Sequence, residues 1–233
     1  MERNCTKLNS PALRGQNISF SEYCYNIKGI RYLECVPQAK SVDVFGVCLR
    51  RRTERVFFET NAKDVSLLFW YSFKTIHIQN KQGVIIKHKA LPSAGGRHAI
   101  DVLYIACKND VWECSLYDDH AHALCLLHVS SQKIIDFIYK ISLVLDPQFG
   151  DIIWFVSQDQ KLSSKYKNAE SLIWRDAGVV LGHLALVAEA LELNFCPLGI
   201  TGDDEIRELL DIPGRLSAVG GCIVGKKNFR KND

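Results

Sequence analysis

The stretch from Leu172 to Leu193 is the most apolar part of the chain and has roughly the length of a membrane span, about 20 residues. It also carries Arg175, Asp176, His183, Glu189 and Glu192, a set that a lipid-facing helix does not tolerate. A buried helix of a water-soluble core satisfies both facts, and its sequence pattern predicts a start near Ser163 or Ser164 and an end before Pro197. Gly178, Gly182 and Ala185 fall on one face of it at near-helical intervals, where missing side chains admit another helix. Each glycine costs a helix about 1 kcal/mol relative to alanine. Close helix packing, in the core or at a subunit interface, is the expected compensation.

The surrounding pattern supplies a sheet for this helix. Ile100 to Ala106 is β-branched and continuous, and Asn109-Asp110 turns it into Val111 to Tyr117, which alternates with period two, so the pair reads as a hairpin. Ala123 to Val129 and Ile152 to Val156 read as two further strands and Ala218 to Gly225 as a last one. Val42, Val44, Phe45, Cys48 and Leu49 recur at helical spacing. Asn61 caps a helix through Val65 to Tyr71, Ser130 or Ser131 caps one through Ile141, and Thr201 or Asp203 opens a short one that Pro213-Gly214 ends. Helices and strands interleave without regular βαβ alternation, so the class is α+β. At 233 residues and 47% hydrophobic content, one core suffices. We therefore expect one domain over 41–233, preceded by a segment, 1–40, whose role the sequence leaves open.

Composition excludes several functions. Net charge is only +3 with both signs mixed, which gives no nucleic-acid footprint beyond the clusters at 50–55 and 226–231, the second reading as a solvated tail. The nine cysteines are scattered in apolar runs without a CxxC pair, and no signal peptide is recognisable, so a reducing, cytoplasmic setting is expected. Asp118, Asp119, His120 and His122 fall in a turn between strands with no further ligand set, so no metal is expected. No Gly-x-Gly-x-x-Gly fingerprint appears.

Two distant segments carry the chemical signal. Arg51-Arg52-Thr53-Glu54-Arg55 gathers guanidinium groups and a hydroxyl at a helix end, suited to an anion; the alternative is a helix C-terminus stabilised by positive charge. Pro92-Ser93-Ala94-Gly95-Gly96 is a small-residue turn that lets a flat ligand approach the backbone. Together they read as one anionic-cofactor site.

The order of these motifs resembles the nitroreductase superfamily of flavoproteins. Arg51-Arg52-Thr53-Glu54-Arg55-Val56-Phe57 is similar to its Arg-Arg-Ser-x-Arg-x-Phe pattern, with threonine keeping the hydroxyl. The Pro92-to-Gly96 turn before Ile100 to Tyr104, and Lys165-Tyr166 ahead of Arg175-Asp176-Ala177-Gly178, look like the SagB-type, or azoline dehydrogenase, branch. Ala188 to Asn194 with Pro197-Leu198-Gly199, and Gly221 to Gly225, are similar to its late helix and last strand. The resemblance runs from about Ser41 to Lys227 and departs at Arg97-His98-Ala99, where the branch has an aromatic residue and proline.

The resemblance implies a nitroreductase-like α+β fold, with a mostly antiparallel central sheet flanked by helices, and a homodimer with flavin mononucleotide (FMN) at the subunit interface. It assigns the phosphate to Arg51, Thr53 and Arg55, with Arg52, Lys226 and Lys227 as further candidates, and the ring or ribityl chain to Pro92, Ser93, Ala94 and Gly95. A backbone amide at Leu198-Gly199 would face the redox end. Lys165 as base, with Tyr166 orienting substrate or relaying the proton, would serve oxidation of azoline heterocycles in a modified peptide alongside biosynthetic partner enzymes. A nitro or quinone reductase using a nicotinamide donor, or a non-catalytic partner in a biosynthetic complex, are the alternatives.

Overall fold

The computed structural model describes residues 8–34, 41–81, 84–212, 214 and 216–227. In chain order the elements are β1 (Ala12–Leu13), β2 (Ile27–Tyr32), α1 (Val44–Arg50), α2 (Ala62–Phe73), β3 (Thr75–Lys81), β4 (Val84–Lys89), β5 (Ile100–Lys108), β6 (Val111–Asp118), β7 (Ala123–Leu127), α3 (Ser131–Ser142), β8 (Asp151–Gln158), α4 (Asp159–Ser163), β9 (Tyr166–Lys167), α5 (Glu170–Ala190), β10 (Leu193–Pro197), α6 (Asp203–Leu210) and β11 (Leu216–Lys226).

Seven strands form the central sheet in the order β10-β11-β8-β5-β6-β7-β2, and every neighbouring pair is antiparallel. Strand β8 lies inside the sheet between β11 and β5, and all eight of its residues are buried. Its side chains alternate between faces, as period two demands. Ile153 and Phe155 join the core under α2 and α5, with Phe69, Phe73, Val180 and Leu184. Ile152, Trp154 and Val156 join the core under α3 and α6, with Phe137, Ile141, Ile206 and Leu209. The result is helix, sheet, helix in three layers.

Local signals set several of these elements. Asn61 accepts from the Asp64 N–H while the Asp64 carboxylate accepts from the Asn61 N–H, a reciprocal cap that starts α2. Ser130 caps α3. Asn109 and Asp110 both take left-handed backbone (φ 49° and 62°), which closes the β5–β6 hairpin as expected. Gly221 permits β11 to cross β8, since a Cβ there would meet the Ile153 carbonyl at 2.6 Å as well as the Trp154 ring.

The structure departs from the sequence pattern at four points. The long helix starts at Glu170 and ends at Ala190: Ser163-Ser164 lie at the end of the separate α4, and Tyr166-Lys167 pair with Ala12-Leu13 as a strand. Glu192, at φ 58°, turns the chain so that Leu193–Pro197 becomes a strand bound to β11. Part of the N-terminal segment contributes to the sheet, because β2 is its edge strand, hydrogen-bonded to β7. The fourth is the hairpin β3–β4, which the sequence reading did not anticipate. The expected stop Pro213 and the tail 228–231 lie outside the described residues.

Candidate functional site

The turn at Pro92–Gly96 is held by a carboxylate on α5. Asp176 accepts from the Ser93 hydroxyl (2.6 Å), and its two oxygens share the Ala94 N–H (3.0 and 3.2 Å). Ser93 Oγ in turn accepts the His98 N–H at 2.9 Å. Gly95, Gly96 and His98 all lie in the left-handed region (φ 59°, 67° and 45°), so the turn doubles back sharply. Gly95 also leaves room for two neighbouring side chains. A Cβ there would run into the Tyr166 hydroxyl and approach Lys165 Nζ to 2.7 Å.

Lys165 and Tyr166 therefore lie against the Ser-Ala-Gly turn. Lys165 Nζ donates to the Gly95 carbonyl at 3.2 Å and lies over the Tyr166 ring. Both side chains are half-buried, and backbone pairing with the N-terminal strand fixes them: Tyr166 opposite Leu13, and the Arg14 N–H on the Lys165 carbonyl.

The arginine cluster sits elsewhere. Arg51 is the C-cap of α1, and the chain then runs past the sheet edge, with the Glu54 N–H on the Phe195 carbonyl and Phe58 bridged to Lys226. Arg50 and Lys227 both reach Glu189, near the C-terminal end of α5 (3.7 and 2.9 Å). Asp176 and Glu189 are thirteen residues apart on α5, about 20 Å at 1.5 Å per residue. Within one chain, then, the turn and the arginines lie at opposite ends of a helix and do not form a single pocket.

Several assignments change with this geometry. The Ala94 amide and the Ser93 hydroxyl are committed to Asp176 rather than open to a ring. The Leu198 N–H donates to the Gly221 carbonyl; Gly199 beside it is exposed. Lys226 is paired with Asp64 (3.1 Å) and Lys227 with Glu189, so neither offers an uncompensated charge. Arg52 folds back onto the carbonyls of Leu49 and Arg51. Arg51 and Arg55 carry no ion pair among the described residues, and Thr53 is exposed next to them. These three fit a phosphate, and Pro92 is exposed at the turn. The Asp118–His122 group has separate duties: Asp118 accepts the amides of His120 and Ala121, Asp119 pairs with Lys87 and Lys89, and His122 is buried between Tyr117 (2.8 Å) and Ser66 (3.1 Å).

Beside the turn opens a cleft of about 720 Å³, lined by Gly95, Gly96, Arg97, Asp101 and Lys165 and roofed by the N-terminal segment at Tyr23 and Tyr25. Burial pushes the Asp101 carboxyl up, and it accepts from the Tyr25 hydroxyl (3.0 Å) and the Gln158 amide (2.6 Å). Burial and the neighbouring Lys89 push His98 down to about 4; its neutral ring contacts the Lys87 carbonyl through Nε2 (3.1 Å). Burial alone would raise Asp119, but Lys89 and Lys87 outweigh it and hold the carboxyl below its usual range.

The sequence reading missed Asp176 as a turn anchor. A signal for it was present, because Asp176 shares the buried stripe of α5 with Val180, Leu184 and Ala188 at four-residue intervals. A carboxylate on that stripe requires a partner.

Comparison with known proteins agrees with this architecture. Residues 136–226 match the profile of the Nitroreductase family. No curated protein matches the chain in sequence. Among solved structures, a candidate nitroreductase of Ralstonia eutropha superposes with a TM-score of 0.65 at 16% identity over 90% of this chain and 97% of that one. One of Anabaena variabilis gives 0.61 at 19% identity, and although 91% of this chain aligns, it spans only 41% of that protein. The Escherichia coli microcin synthetase complex McbBCD, bound to truncated pro-microcin B17, gives 0.55 at 15% identity over 85% of this chain and 79% of the matched one. The fold is nitroreductase-like: an α+β architecture with a central antiparallel sheet flanked by helices.

Proposed function

We propose that the protein is an FMN-dependent oxidoreductase that works as a homodimer and, in the manner of SagB-type enzymes, oxidises azoline heterocycles in a modified peptide. The observation that carries this reading is the arrangement along α5: uncompensated Arg51 and Arg55 at one end, and the Asp176-anchored turn with Lys165 and Tyr166 at the other. Along this stretch α5 presents Trp174, Gly178, Val179 and Gly182 to the outside, and apart from the helix's own backbone no atom of the described residues lies within 4 Å of where a Cβ on either glycine would stand. Two copies packed antiparallel along these faces would set the arginines of one against the turn of the other, completing the cofactor site across the interface.

In that site Arg51, Arg55 and Thr53 hold the phosphate by charge-assisted hydrogen bonds. Bound flavin would supply a two-electron acceptor for hydride. Lys165 takes the ring proton of the substrate and Tyr166 orients the heterocycle beside it; Gly95 keeps both within reach by leaving the space a Cβ would fill. The microcin synthetase likeness supports the peptide substrate, since that complex holds a microcin precursor.

The purified protein should be yellow or become so on adding FMN. Arg51→Gln and Arg55→Gln should each weaken FMN binding by about 10-fold or more while the fold persists, because both side chains are half-buried or exposed. Lys165→Ala should retain flavin and lose azoline turnover. A colourless protein that takes up no flavin would refute the reading, and unchanged turnover in Lys165→Ala would remove the base.

A further inference from the structure

The charges lining the 720 Å³ cleft are mostly compensated within the chain. Asp119 takes Lys87 and Lys89, and Glu22 takes Lys161 at 3.1 Å. Asp118 is occupied by two backbone amides. Asp101, raised by burial, is occupied by Tyr25 and Gln158. Two cations are left over. Lys165 donates only to a carbonyl among the described residues. Arg97 has no carboxylate partner there, and its Nε is shut off from water with no acceptor at all. Both line the cleft at the same turn, Arg97 two residues beyond the glycine whose carbonyl Lys165 holds.

A half-buried guanidinium without an acceptor is a costly arrangement, and it is relieved by an anion that brings its own oxygens. The planar fork of arginine fits a carboxylate best, and the cleft has the size of a small-molecule site.

We propose that Arg97 anchors a carboxylate of the substrate in this cleft, beside Lys165, so that the protein prefers acids: heterocycles that end a chain and carry a free carboxylate over those embedded in an amide backbone. The proposal deepens the azoline reading by naming the substrate class, and its binding part is measurable without turnover. Specificity of this kind comes from the buried charge, since an amide of the same shape leaves Arg97 unpaired.

The test is calorimetric binding of a phenyl-thiazoline carboxylate and of its primary carboxamide to the full-length protein supplied with FMN. The wild type should bind the acid about 10-fold or more tightly than the amide. Arg97→Gln should erase that preference by weakening the acid alone, with amide affinity unchanged as the sign of an intact cleft. Arg97→Lys should restore part of it. Equal affinities in the wild type overturn the proposal, a comparison that needs no variant to fold. So does a preference that survives Arg97→Gln, or one lost in Arg51→Gln instead. If the protein takes up no flavin, the redox reading fails while the acid preference of the flavin-free chain still decides this one.

Discussion

Replacing Asp176 by alanine strips two donors of their acceptor. The Ser93 hydroxyl (2.6 Å) and the Ala94 N–H (3.0 Å) both point at a carboxylate that is only 5% exposed, so water does not readily replace it. Hydrogen bonds to a charged group contribute about 1.5–3 kcal/mol each, and the turn is partly open, so the lower end applies: about 3 kcal/mol in total. For a chain of this size that corresponds to a fall in Tm of roughly 6–12 °C. Asp176→Asn should cost less, about 1 kcal/mol, because its carbonyl oxygen can keep the Ala94 N–H while its amide donates to Ser93 Oγ. Ser93→Ala removes the same bond from the other side and also orphans the His98 N–H. A double-mutant cycle between Asp176→Ala and Ser93→Ala should return a coupling above about 1 kcal/mol. Urea unfolding of the four proteins measures all of this, and FMN titration should show weaker binding wherever the turn is released. An Asp176→Ala variant within about 0.5 kcal/mol of the wild type, with full flavin affinity, would refute the claim that this carboxylate builds the turn.

Two further outcomes follow from other parts of the molecule. Burial raises Asp151, which accepts from the Thr60 hydroxyl, to about 6 from 3.8, so the native state holds its proton more tightly than the unfolded chain does. That contribution is complete below about pH 4 and lost as pH rises through 6, a decline of about 3 kcal/mol; Asp151→Asn should flatten the slope in urea unfolding at pH 4, 6 and 8, and parallel curves would contradict the assignment. Gly182 is exposed with open space beside it: Gly182→Ala should leave one chain as stable or up to about 1 kcal/mol more so, while Gly182→Leu should abolish the proposed dimer in sedimentation velocity, and a leucine variant as dimeric as the wild type would contradict the proposed interface.

The elements read correctly from sequence are those whose causes are local. Asn61 and Ser130 cap their helices through side chains three residues from their targets, and Asn109-Asp110 carries the left-handed backbone that a tight hairpin needs. The apolar run Ile152–Val156 could only be buried on both faces, and it forms an interior strand of the sheet. The misread elements depend on partners far along the chain. Nothing near Lys165-Tyr166 distinguishes the first turn of a helix from a strand; pairing with Ala12 and Leu13 decides it. Leu193–Pro197 looks like the tail of a helix until β11 supplies its hydrogen bonds.

The same division runs through the site. Residue types in order along the chain determined which groups can do chemistry: guanidinium groups for an anion, a glycine turn for close approach, a Lys-Tyr pair for a proton. Which of them are free to act was decided by the fold alone, because charge compensation is a matter of distance in space. Lys226 and Lys227 are paired with Asp64 and Glu189, Ser93 and Ala94 give their donors to Asp176, and Arg97 has no such partner among the described residues. The length of α5, too, is what holds the arginines about 20 Å from the turn in a single chain, so that the proposed site needs a second copy to bring them together.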